Sequence, residues 1–507
     1  MESTTTKATA TLPSWDLSPS LPVPLDILFD IIVHLPLKSV LILRQTSKSF
    51  LAVTQLRSLW ALLLRIHVLR KNLPIPNLPD QPLSNFSAAE LESATCRAIS
   101  LRRNWASPAP KATRHINIIK GAEPDSRIIF LQFLPGRENR WLISVTMTAR
   151  PRKFVVQCWD VAIEVPRCVA KLTHIDGPYG GVVINSDPLS PAMLVMQFAH
   201  TETFTIDFEE EDPESAFVTH HVIDGIREIH LLSSSTLVTR TPEGEICIWD
   251  LDETPEQERL RVVNPGVPPT EKCLAMHKYD NYLIVFRAQT IETYSLTYIP
   301  RTNSPPIRGS PFQYPLTRHR WQWRADSVVI SEEHQYNPAR KRSPPVINIF
   351  IRFGSIYPWP VNILHHFSLV ANPVCTSSPA PVSPFRTEPK AVQTIASPVR
   401  LFSQSTVVLG RYGTALYLDS HTEDWFGPSD RGQRLAGKML GSADDIGDDA
   451  TENQGTNGEG GGSKRRRGEM VLGVQEDDLW NRIAVDEESG RVALGCVNGD
   501  IEMFEYS

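Results

Sequence analysis

The sequence predicts a mixed, mainly β fold: a small N-terminal helical unit followed by a large domain of short strands. Three observations carry this. Residues 21–60, LPVPLDILFDIIVHLPLKSVLILRQTSKSFLAVTQLRSLW, place apolar residues at helical spacing. From Thr113 onward the pattern changes to short alternating runs bounded by turn residues, the signature of strands. The endings of those runs then recur at a nearly constant interval, which marks a repeat. Composition agrees with an ordinary soluble protein, 41% hydrophobic and 21% charged. A net charge of −6 gives no reason to expect nucleic acid or an anionic membrane as partner. Seven cysteines without a C-x-x-C pair argue against a disulfide framework and a zinc site, so reduced thiols in cytoplasm and/or nucleus are expected. No run of 18 apolar residues exists, and residues 1–20 lack the apolar stretch of a signal peptide and read as a disordered tail.

Within residues 21–70, Pro24 suits the first helical position, after which Leu25, Leu28, Phe29 and Ile32 share one face and Ile27 and Ile31 another. A helix apolar nearly all round has to be covered on nearly all sides, which a segment of this size cannot do alone. Pro36 biases Leu35 away from helix and ends the first helix near His34. A second helix is predicted from about Lys38 to Arg44. A third begins after Ser47, a candidate N-cap, and apolar helix continues past Leu59 and Trp60 to Leu69.

The order of these residues resembles the F-box. Its elements are Leu21-Pro22, Asp26-Ile27-Leu28, Leu35-Pro36, Ser47-Lys48-Ser49-Phe50 and Leu59-Trp60, with Phe50 standing where many members carry Trp. The resemblance implies docking on a Skp-type adaptor, and through it a cullin, by way of Leu21, Pro22, Ile27, Leu28, Ile31, Leu35 and Pro36.

Residues 71–112 form the next division. A proline-rich connector, residues 72–86, is followed by a helix from Ala88 to about Trp105, with Ser87 and Glu90 at capping-box spacing. Leu91, Ala94, Ala98, Leu101 and Trp105 line one face, which suits bracing against neighbouring structure; its arginines leave open a binding role.

Residues 113–507 hold the repeat. Strands end at Val161, Phe208, Leu251, Leu296, Leu369, Asp419 and Tyr506, seven units, and the first three intervals are 47, 43 and 45 residues. That is the period of a four-stranded propeller blade, so a seven-bladed β-propeller is predicted. Leu237–Leu251 overlays Val492–Tyr506, each a strand, a glycine turn and a second strand; Arg411-Tyr412-Gly413 with Leu416–Asp419 reads as a third copy. Arg114–Ile119 can supply the outer strand of the last blade and close the ring. The domain resembles a divergent WD-repeat propeller: Trp159-Asp160 and Trp249-Asp250 match the family's blade ending, while its Gly-His opening is not evident. Residues 300–318 and 333–346 read as exposed loops, 371–390 as a connector and 438–468 as a disordered insertion. In that insertion Lys464–Arg467 reads either as an import signal or as a solvated charge run.

No nucleophile, metalloprotease or phosphate-loop motif is present, so no catalytic residue, cofactor or metal ligand is expected. Asp160 and Asp250 sit at strand ends where turn capping is the expected role. The tandem histidines His220-His221 and His365-His366 point to opposite sides of a strand and cannot share one metal. Arg318-His319-Arg320-Trp321-Gln322-Trp323-Arg324 interleaves basic and aromatic residues. Strand alternation would pack both tryptophans into a blade; the other reading is a target-binding platform of Arg318, Arg320, Trp321 and Trp323. The resemblances imply that the chain is the non-catalytic substrate-recognition subunit of a Skp-cullin-F-box ubiquitin ligase, capturing an unidentified protein with its propeller. A propeller scaffold without ligase role and a propeller hydrolase are the alternatives.

Overall fold

The computed structural model describes residues 23–76, 82–136, 140–225, 228–252, 258–268, 270–297, 312–334, 344–354, 363–373, 382–396, 406–421, 432–440 and 469–507. Contacts divide the chain into two units, Met1–Lys71 with Gln81–Cys96, and Asn72–Asp80 with Arg97–Ser507.

In the first unit the helices are α1 (Leu25–Ile32), α2 (Leu37–Leu43), α3 (Lys48–Thr54) and α4 (Arg57–Leu64), followed by the first turns of α5 (Ala88–Trp105). Pro24 and Pro36 are the N-cap residues of α1 and α2, so Pro24 stands one position before the first helical residue rather than at it, and the missing N–H of each is not needed there. Ser47 caps α3 by accepting the Phe50 N–H at 3.2 Å. Ser87 and Glu90 form the reciprocal capping box: Glu90 N–H donates to the Ser87 hydroxyl, and Ser87 N–H donates to the Glu90 carboxylate at 2.7 Å. Ile32, Val40, Val53, Leu59, Trp60 and Leu63 are fully buried. Trp60 can be buried because its indole N–H donates to the Thr54 carbonyl at 2.8 Å. Arg44 stands over the Trp60 ring and makes two hydrogen bonds to Glu92, at 2.9 and 2.8 Å. After α4 the helix widens into a π-helical turn, Arg65–Leu69.

The second unit holds seven antiparallel sheets of four strands, one of them extended by a fifth. Numbered along the chain, blade 1 spans 126–175, blade 2 181–223, blade 3 228–262, blade 4 273–320, blade 5 325–396 and blade 6 407–475. Blade 7 takes three strands from 480–505 and its outer strand from Arg114–Ile119, which pairs with Ile501–Glu505. The expected ring closure is therefore observed, and it covers the edge that Ile501–Glu505 would otherwise expose. Inner strands touch from blade 2 round to blade 7 and from blade 7 to blade 1. The apolar cores lie between blades: Val145 and Val156 meet Val182 and Leu194 at the 1–2 junction, and Ile116 and Met503 meet Ile128 and Leu142 at the 7–1 junction. The C-terminal turns of α5 add Leu101 and Trp105 to the 6–7 core, with Trp105 edge-on to Tyr506.

Three expectations change. The strand ending at Asp419 belongs to Thr414–His421, the second strand of blade 6, where the other endings mark third strands. The cause is turn chemistry: Gly244, Gly499 and Gly413 all adopt the same positive φ, 86–89°, so the sequence does not tell a first hairpin from a second. Residues 300–318 do not form a loop throughout: Phe312–Gln313 adds a parallel fifth strand to blade 3, and Thr317–Arg320 is the outer strand of blade 4. In 371–390, Phe385 is fully buried in the 4–5 core. Most of the 438–468 insertion, Lys464–Arg467 included, lies outside the described residues.

Asp160 and Asp250 each accept the N–H two residues on, at 3.2 and 3.3 Å, so both cap turns as expected. Their neighbours tie third strand to second, Trp159 donating to the Ser144 hydroxyl and Trp249 to that of Thr239. His366 is buried, with Asn348 on one ring nitrogen and Gln393 on the other. Among the described residues no cluster suited to a metal ion occurs, and no single helix is long and apolar enough to cross a membrane.

The turn after the inner strand of blade 7 buries two adjacent carboxyls. Asp486 is pushed up to about 6 and Glu487 to about 7, in both cases by burial. Unfolded, both would ionise near pH 4, so between about pH 4 and 7 the folded state holds protons the unfolded state has lost, and stability falls as pH rises through that window. Asp486→Asn keeps the oxygen that accepts the Glu488 and Ser489 N–H groups and removes the charge from the partnerless second oxygen. It is expected to gain on the order of 1–3 kcal/mol relative to the native chain at pH 8 compared with pH 5, read by thermal unfolding at both.

Candidate functional site

Two surfaces stand out, one in each unit. In the first, α1 buries Leu28 and Ile32 and leaves Ile27 (48%) and Ile31 (51%) exposed. An apolar pair one turn apart is thus uncovered on a helix whose other face is committed to the core. Leu25, Ile42 and Leu51 are exposed as well. Of the residues named from sequence, Pro36 is exposed, Leu35 is half-buried, and Leu21 and Pro22 lie outside the described residues. Leu28, 7% exposed, is corrected: it faces the core with Ile32 and offers no contact surface. Ile42 and Leu51 are not among the contact residues that the resemblance implies. The signal was available for Ile42, which falls on the side of α2 opposite buried Val40.

The second surface is a cleft of about 390 Å³ on the propeller, lined by Gln289, Arg320, Trp321, Gln322, Trp323 and Arg324. The outer strand of blade 4 stops at Arg320, and the chain turns through 321–324 into blade 5. Alternation therefore ends before it reaches the second tryptophan. Trp321 is 5% exposed and packs against His319, Phe353 and Phe367, whereas Trp323 is 50% exposed and meets Phe353 edge-on. The expectation that both tryptophans pack inside a blade is corrected for Trp323. The turn is held by its backbone: Trp321 N–H donates to the Gln289 carbonyl, Ala325 N–H to that of Ala288, and Gly354 N–H to that of Arg324. Arg318 donates to the Gly266 carbonyl at 3.3 Å, outside the cleft lining. Burial holds His319 below the usual imidazole range, so it is neutral near pH 7.

The N-terminal helices form an F-box domain: the F-box domain family model matches residues 21–62. The chain is thus an F-box domain followed by a seven-bladed β-propeller. Comparison with curated proteins gives no match. Among solved structures, the chain is similar to one from the "Crystal Structure of Mitotic Checkpoint Complex", at 9% identity and a TM-score of 0.41, covering 79% of this chain and 97% of that one. F-box domains in general bind Skp-type adaptors, and F-box propeller proteins are typically non-catalytic.

Proposed function

We propose that this chain is the substrate-recognition subunit of a Skp-cullin-F-box ubiquitin ligase, acting in cytoplasm or nucleus without chemistry of its own. The observation that carries this is the uncovered Ile27–Ile31 pair on α1 of the F-box domain. Exposed apolar side chains in such a cluster are stabilised by a partner that removes them from water. Leu21, Pro22, Leu35 and Pro36 complete the proposed adaptor contact. The propeller holds the target, and holding it beside the ubiquitin-transferring enzyme raises its effective concentration there. Co-expression of the full chain with a Skp-type adaptor and a cullin tests this. One stoichiometric complex by size exclusion is expected; a soluble, folded chain eluting apart from the adaptor would contradict it.

A further inference from the structure

The blade 4–5 cleft has a counterpart. The turn between second and third strands and the link to the next blade also meet at the 7–1 junction, where Gly121–Ser126 and Val497, Asn498 and Asp500 line a cleft of about 380 Å³. The two sites are alike in topology and opposite in charge. The 7–1 cleft carries Glu123, Asp125 and Asp500, and Asp500 is already occupied, accepting the Gly121 N–H at 2.8 Å. The 4–5 cleft carries Arg320 and Arg324, both exposed, and the guanidinium of neither has a hydrogen-bond or ion-pair partner among the described residues. Beside them are Trp323, 50% exposed, and the residues Gln289 and Gln322.

Resting on the reading of the propeller as the target-holding half, we infer that the 4–5 cleft takes an extended peptide segment bearing an anionic group and an apolar side chain. The anionic group, carboxylate or phosphoryl, is held by Arg320 and Arg324, which offer forked donors to either. The apolar side chain lies on Trp323, which is already braced by Phe353 and so loses little freedom on binding. Gln289 and Gln322 can each both donate to and accept from a peptide backbone. A nucleic-acid strand fits less well, because the cleft ends at one junction and the chain's net charge is −6.

The test uses the full chain and fluorescence anisotropy with four probes. These are a 12-residue Asp/Glu-rich peptide with one Phe, the same frame with phosphoserine for the acidic residues, its Asn/Gln analogue, and a single-stranded oligonucleotide. At least one anionic peptide is expected to bind about tenfold or more tighter than the neutral analogue; which one binds names the anion. R320Q/R324Q is expected to abolish that difference and W323A to weaken binding several-fold, while E123Q/D125N at the counterpart cleft leaves it unchanged. No binding by either anionic peptide, binding untouched in a folded R320Q/R324Q chain, or preference for the oligonucleotide would overturn the inference. Adaptor co-elution is scored on the same preparations. Its loss contradicts the ligase reading alone, and loss of peptide binding with co-elution intact contradicts this inference alone.

Discussion

Replacing Arg287 with Met is expected to lower stability by about 3–5 kcal/mol, because it strands a buried carboxylate. Thr290, Glu292 and Tyr294 alternate along the third strand of blade 4 and so point to one side. That side is closed: Glu292 is 0% exposed and Arg287 is buried. The Glu292 carboxylate accepts from Arg287 Nε at 3.1 Å, Asn264 Nδ2 at 2.6 Å, Thr290 Oγ1 at 3.0 Å and Tyr294 OH at 2.7 Å. Burial and the neighbouring carboxylate push the Tyr294 hydroxyl well above its usual range, so it stays a donor. With the guanidinium gone, three neutral donors face a charge in a dry site. Arg287→Lys keeps the charge and is expected to cost about 1–2 kcal/mol. The urea midpoints of the three chains check this; a loss below about 1 kcal/mol for the Met variant would mean that the carboxylate is protonated or hydrated.

The second large effect lies at the ring closure. Ile116 is buried in the 7–1 core, on the strand that the chain places before blade 1 and pairs with blade 7. Ile116→Asp puts a carboxyl among Ile118, Met503 and Leu142, which offer it no hydrogen bond. A loss of about 3–4 kcal/mol is expected, from lost apolar burial plus a desolvated acid. Ile116→Val is expected to cost only about 1 kcal/mol. Thermal unfolding separates the two. If Asp and Val behave alike, the outer strand of blade 7 is dispensable and the closure does not hold the ring.

Much of this architecture was legible because local rules and tertiary burial agree. Ser47, Ser87 and Glu90 announced their caps, and the glycine hairpins, seven units and closing strand could be read from spacing. The failures share a cause: a rule was carried past the element that justifies it. Alternation placed Trp323 in a blade, although the strand had ended at Arg320. The resemblance put Leu28 beside Ile27 in the adaptor contact, although the helix pattern sets them on different faces, about 100° apart, and only one of them can face the core. In blade 6 a positive-φ glycine marks the first hairpin as well as it marks the second elsewhere. Of the cleft's lining only Gln289 could not be foreseen, since it lies over thirty residues from Arg320 and is brought there by the pairing of Thr290 with Arg320.

The proposed docking rests on the Ile27–Ile31 surface of α1. Calorimetric titration of a Skp-type adaptor into the full chain, native and Ile27→Asp/Ile31→Asp, tests it most directly. Both side chains are exposed, so the propeller and the helical core should melt unchanged. The expected result is heat of binding for the native chain and a loss of affinity of about a hundredfold or more for the variant, since charges would replace apolar anchors at a desolvated contact. Equal affinity of the two chains would contradict the claim that this face is where the protein docks.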